Sequence, residues 1–64
     1  MFIEVINAIT FDDQLINCNY ITFFIPKDNG VIVWFKDESS MEIEESYYEL
    51  KQRLSKAKLL AIQY

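Results

Sequence analysis

The chain has 64 residues, 52% of them hydrophobic, with one Gly, one Pro and a net charge of −4. That length holds one domain, residues 1–64, and the composition excludes a disordered, collagen-like or low-complexity chain. With no His and a single Cys, neither a zinc site of the usual ligands nor a Ser-His or Cys-His nucleophile pair can be assembled within one chain.

Residues 2–8 are short and rich in β-branched side chains, which predicts a first strand. Thr10-Phe11-Asp12-Asp13-Gln14 is the first turn candidate. Residues 15–25 predict one long second strand, with a bulge or bend where Asn17-Cys18-Asn19 interrupts it. The segment Pro26-Lys27-Asp28-Asn29-Gly30 is the strongest local signal, because Asn-Gly between apolar runs favours a tight hairpin. A third strand follows over residues 31–35, then a polar turn over 36–40. Met41-Glu42-Ile43-Glu44 alternates as a fourth strand. Ser46 with Glu49 three residues later fits a capping box and starts a C-terminal helix. Tyr47, Leu50, Leu54, Ala57, Ala61 and Tyr64, widened by Leu60, then recur at 3- and 4-residue steps as one apolar stripe. Glu49 and Arg53 are spaced for an i,i+4 ion pair. The predicted fold is α+β: a four-stranded antiparallel sheet followed by one C-terminal helix packed on one face.

One helix covers only one face of such a sheet, yet the predicted strands are apolar on both. Phe2 and Ile6 share a face with Glu4; Ile32 and Trp34 oppose Val31, Val33 and Phe35; Phe24 opposes Phe23 and Ile25. Runs apolar on both sides mean burial on both sides. Leu59 and Ile62 repeat the excess on the far side of the helix end. Contiguous apolar patches of this kind mark interfaces. A chain of about 60 residues also buries only about 60% of its unfolded surface, so a partner subunit is a common stabiliser. The expected interface is therefore Phe2, Ile6, Phe24, Ile32, Trp34, Leu59 and Ile62, and the expected first partner is a second copy, as a homodimer or higher assembly.

Other chemistries score low. Asp12-Asp13, Asp28, Asp37-Glu38 and Glu42/Glu44/Glu45 lack calcium-loop spacing and read as turns and solvated strand faces. One Gly cannot build a phosphate loop. No catalytic, metal or cofactor residue is expected, and the protein reads as a non-enzyme. The acidic sheet argues against nucleic-acid binding, since stacking platforms sit in basic grooves; a carboxylate-based mimic of nucleic acid is the opposite alternative. Residues 1–49 hold all ten acids against Lys27 and Lys36, a balance of −8, while residues 50–64 hold Lys51, Arg53, Lys56 and Lys58 and no acid. Such asymmetry complements a helix dipole, and its sharper reading is a body that binds a basic partner. The lone Cys18 points to a reducing compartment, residues 1–4 lack the basic start of a signal peptide, and no apolar run approaches bilayer length. A cytoplasmic protein without a membrane segment is expected.

Ile16-Asn17, then Tyr20-Ile21, then Val31-Ile32-Val33, a polar turn, and Met41-Glu42-Ile43-Glu44-Glu45-Ser46 leading straight into a helix together form a pattern. It resembles the small flagellar FlbD-like (SwrD-like) proteins over most of the chain. The resemblance implies a non-enzymatic motility regulator. The longer, apolar-tipped helix and the acidic body depart from that family. The chain is also similar in style to small phage-encoded inhibitor proteins: one compact domain, many aromatics, no catalytic residues. The functional expectation is a non-enzymatic protein-binding module, an adaptor or inhibitor of a host macromolecule encoded by a phage or mobile element.

Overall fold

The computed structural model describes residues 1–56. Five strands precede the helix: β1 (Phe2–Ile6), β2 (Asp13–Asn17), β3 (Ile21–Lys27), β4 (Gly30–Phe35) and β5 (Ser40–Ile43), then α1 (Tyr47–Lys56). The class is α+β with the helix last. The sheet, however, is not one four-stranded unit. β1 and β2 form an antiparallel pair, and β3-β4-β5 form a separate antiparallel meander.

The difference begins at Asn17-Cys18-Asn19. Instead of bulging within one long strand, this stretch closes a single 3-10 turn, Cys18–Tyr20, and cuts the predicted second strand in two. The Asn17 side-chain oxygen accepts from the Asn19 N–H at 3.0 Å, and the Ile21 N–H donates to the Cys18 carbonyl. Short polar side chains offer the backbone this local alternative to a sheet ladder. The two sheets are then joined by one bridge between Asn7 and Ile43. The Ala8 N–H donates to the Glu42 carbonyl at 2.9 Å, and the Glu44 N–H to the Ile6 carbonyl at 2.8 Å. β5 thus lies between β4 and β1.

The β3-β4 hairpin also turns one residue earlier than Asn-Gly suggests. Lys27 pairs with Gly30, so Asp28 and Asn29 are the two central residues, and Asp28 takes the positive φ of 46°. Gly30 opens β4 instead. Its glycine identity answers a different need: a Cβ there would lie 2.6 Å from the Ile43 carbonyl oxygen. Glycine in a strand commonly marks such a close backbone approach.

The core gathers Val5, Ile16 and Cys18 from the first sheet and its turn, Val31, Val33 and Ile43 from the second, and Leu50 and Leu54 from α1. Ile43 and Leu50 are fully buried, as are Val31 and Val33, so β4, β5 and the helix all contribute to the centre of the core. No polar or charged residue is buried among the described residues. Of the predicted stripe, Leu50 and Leu54 face the core and Tyr47 packs against it. Ala57, Leu60, Ala61 and Tyr64 lie outside the described residues.

Candidate protein-binding face

Directly paired residues in an antiparallel sheet point to the same side. In β3-β4-β5 the register pairs Phe24 with Val33 and Met41, and Val31 with Ile43. These form the core side. Phe23, Trp34 and Ser40 share the opposite side, as do Ile25, Ile32 and Glu42. The outward face therefore presents Phe23, Ile25, Ile32 and Trp34 as one apolar surface with no element of the described chain over it.

A bulge decides which phenylalanine reaches that face. Ile21 pairs with Phe35, but Phe23 pairs with Trp34, so Thr22 is an extra residue on β3. One extra residue reverses the facing of everything beyond it. Phe24, expected beside Trp34, consequently turns inward against Tyr47, their ring centroids 5.4 Å apart. Phe23 takes its place and stacks on Trp34 at 5.9 Å with an interplanar angle of 16°. Phe23 is 49% exposed and Ile25 44%; Ile32 and Trp34 are partly covered. A shallow hollow lined by Thr22, Phe23, Trp34, Phe35, Lys36 and Glu38 opens beside the indole.

Lys27 and Glu42 close the far rim of this face with an ion pair at 2.7 Å. The hydrogen bond to Glu42 and its charge raise the Lys27 ammonium above its ordinary value. Both groups stay substantially solvated, so the pair orients the rim more than it stabilises it.

The other expected interface residues are dispersed. Phe2 and Ile6 stand outward on β1 at 61% and 41% exposure, accompanied by Leu15 on β2, which pairs with Glu4. The carboxylates of β5 and its continuation, Glu42 and Glu44, lie between this smaller patch and the Trp34 face, so the single continuous surface expected from the strands is divided. Leu59 and Ile62 lie outside the described residues. Sequence reasoning missed Phe23, Ile25 and Leu15 as surface groups, and no local signal marks the bulge that selects the first two.

A third exposed set sits on the β1-β2 loop. The Asn7 side-chain oxygen accepts from the N–H groups of Ile9 at 2.8 Å and Thr10 at 3.1 Å. The loop so held carries Ile9 and Phe11 into solvent, with Phe11 at a φ of 62°. Left-handed backbone is costly for a residue with a Cβ.

Burial pushes the Cys18 thiol up, away from the reactive thiolate. Among the described residues no three His, Cys, Asp or Glu side chains gather closely enough to hold a metal ion, and no helix is long and apolar enough to cross a membrane. Comparison with protein-family models, with curated proteins and with solved structures returns no match.

Proposed function

We propose that the protein is a non-catalytic protein-binding module that self-associates, as a homodimer, through the outward face of β3-β4-β5. The observation that carries this reading is the stacked Phe23–Trp34 pair standing with Ile25 and Ile32 on a sheet face left uncovered by α1. Each large apolar side chain taken out of water contributes about 1.5–3 kcal/mol. Four of them approach the roughly 5–15 kcal/mol stability of a whole domain. A twofold arrangement lets one patch meet its own copy. Pro26 lies on the outer strand of the meander and interrupts its free edge. That favours packing of faces over extension of the sheet.

Sedimentation velocity across low- to high-micromolar concentration tests the reading. A dimer is expected, with the Trp34 emission shifting to the blue as it forms. A strict monomer throughout would refute self-association and assign the face to a foreign protein. The cellular setting rests on resemblance: an inhibitor or adaptor acting on a host macromolecule, or the motility regulation that the FlbD-like pattern implies.

A further inference from the structure

The two outer strands, β2 and β3, guard their free edges differently. β3 carries a bulge at Thr22, then Pro26 and Lys27. Bulges, prolines and lysines are what keep a sheet edge from pairing with another chain. β2, Asp13-Gln14-Leu15-Ile16-Asn17, has an unshifted register and neither Pro nor Lys. Leu15 at its middle is 67% exposed.

The ladder shows which backbone groups of β2 stand open. The Asn7 N–H donates to the Asp12 carbonyl and the Cys18 N–H to the Met1 carbonyl, each at 2.9 Å. Bonded and non-bonded pairs alternate along an antiparallel ladder. Gln14 and Ile16 therefore bond to β1, while Asp13, Leu15 and Asn17 direct their N–H groups away from it. None of those three N–H groups has a backbone partner among the described residues.

We propose that β2 pairs with β2 of a second copy, antiparallel about a twofold axis at Leu15, which extends the two-stranded sheet to four strands. The contact is separate from the β3-β4-β5 face. Its occupant follows from the strand's complementarity to itself. With Leu15 opposite Leu15, each N–H donates to the other's carbonyl, and Asp13 falls opposite Asn17 at both ends. The Asn17 N–H then donates to the Asp13 carbonyl, making four main-chain bonds across the axis. The side chains agree with this register. Asn17 Oδ1 already accepts from the Asn19 N–H, so its NH2 group is the donor left over. The Asp13 carboxylate, an acceptor with no described hydrogen bond, lies opposite. The axis also holds the two Asp13 residues roughly 14 Å apart, four steps along the strand, beyond the screening length of physiological salt. Leu15 packs on Leu15 on the side that also carries Phe2 and Ile6. Edge pairing takes fewer large apolar side chains out of water than the aromatic face does, so it requires the higher concentration.

Disulfide trapping tests the register. Bonded partners lie about 5.5 Å apart at Cα, within the span a disulfide bridges, so Leu15→Cys brings its thiol beside its own copy. Under mild oxidation at high-micromolar concentration it should form covalent dimers at least about tenfold faster than Asp13→Cys, whose sulfurs the axis keeps apart. The unsubstituted chain, with only the buried Cys18 thiol, should form none. Trapping should persist when Trp34→Ala is added, which separates this contact from the aromatic face. Hydrogen exchange reads the same contact without any substitution: the Leu15 and Asn17 amides should slow as concentration rises. Equal trapping at positions 13 and 15 would show random collision and overturn the pairing. So would loss of trapping with Trp34→Ala, or a Leu15 amide whose exchange ignores concentration.

Discussion

At Gly30, the strand residue missing a side chain, backbone rather than side chain blocks any addition. The Ile43 carbonyl oxygen would stand 2.6 Å from a new Cβ, and it belongs to a fully buried residue of the central strand. Gly30→Ala should therefore lower stability by about 1–3 kcal/mol, as overpacking does, seen as an earlier midpoint in urea with an unchanged slope. Asp37 offers a pH-dependent test. The Ser39 hydroxyl and N–H both donate to its Oδ1, the latter at 3.0 Å, and hold its carboxyl below the ordinary value of 3.8. A carboxyl depressed in the fold contributes stability that is present above its unfolded value and lost as pH falls through the folded one. Asp37→Asn should accordingly flatten the decline in melting temperature below pH 3.8. The change will be small because the group is fully exposed. An unchanged acid limb would show that the turn does not discriminate between the two protonation states.

At the scale of elements, α1 depends on its first turn. Ser46 Oγ accepts from the Glu49 N–H at 3.1 Å, as a capping residue should. The return half of the box differs, since Glu49 accepts from the Ser46 hydroxyl at 3.2 Å rather than from its backbone. Ser46→Ala should cost about 1 kcal/mol, measured by denaturation and accompanied by lower helical circular dichroism. Arg53 shows a second departure. Spaced to pair with Glu49, it reaches instead to Glu45 and to the Glu4 carbonyl of β1. Two acids compete for one guanidinium, and the one that also joins helix to sheet wins, because its surroundings are drier and the bond correspondingly stronger.

For the whole molecule, eight buried side chains carry the core among the described residues, so each loss is a large fraction of the total. Leu50 belongs to that core, which draws side chains from both sheets, and is fully buried. Leu50→Ala should cost about 2–5 kcal/mol and leave much of the population unfolded at 37 °C; a mild shift in melting temperature would mean the helix is peripheral to folding. The proposed dimer makes a separate demand. Trp34→Ala should weaken association by at least about 2 kcal/mol, roughly 30-fold in Kd. Phe2→Ala, on the other sheet, should leave it nearly unaltered. Sedimentation equilibrium distinguishes the two, and the reverse order would place the interface on β1.

The antiparallel strands ahead of a closing helix, and that helix's start at Ser46, were legible because they follow from local chemistry: β-branched runs, turn residues and a serine three before a glutamate. The inward side chains of β4, β5 and α1 were legible too, from simple periodicity. The number of sheets was not, since it hung on whether the Asn17 side chain accepts from the Asn19 N–H or leaves the strand intact. Nor was the membership of the outward apolar face. Thr22 is a bulge only because Ile21 and Phe23 find their partners on β4, and that pairing sends Phe24 to the helix and Phe23 to the surface. Hydrophobic pattern sets which side chains seek burial; hydrogen-bond register between distant strands decides which of them obtain it.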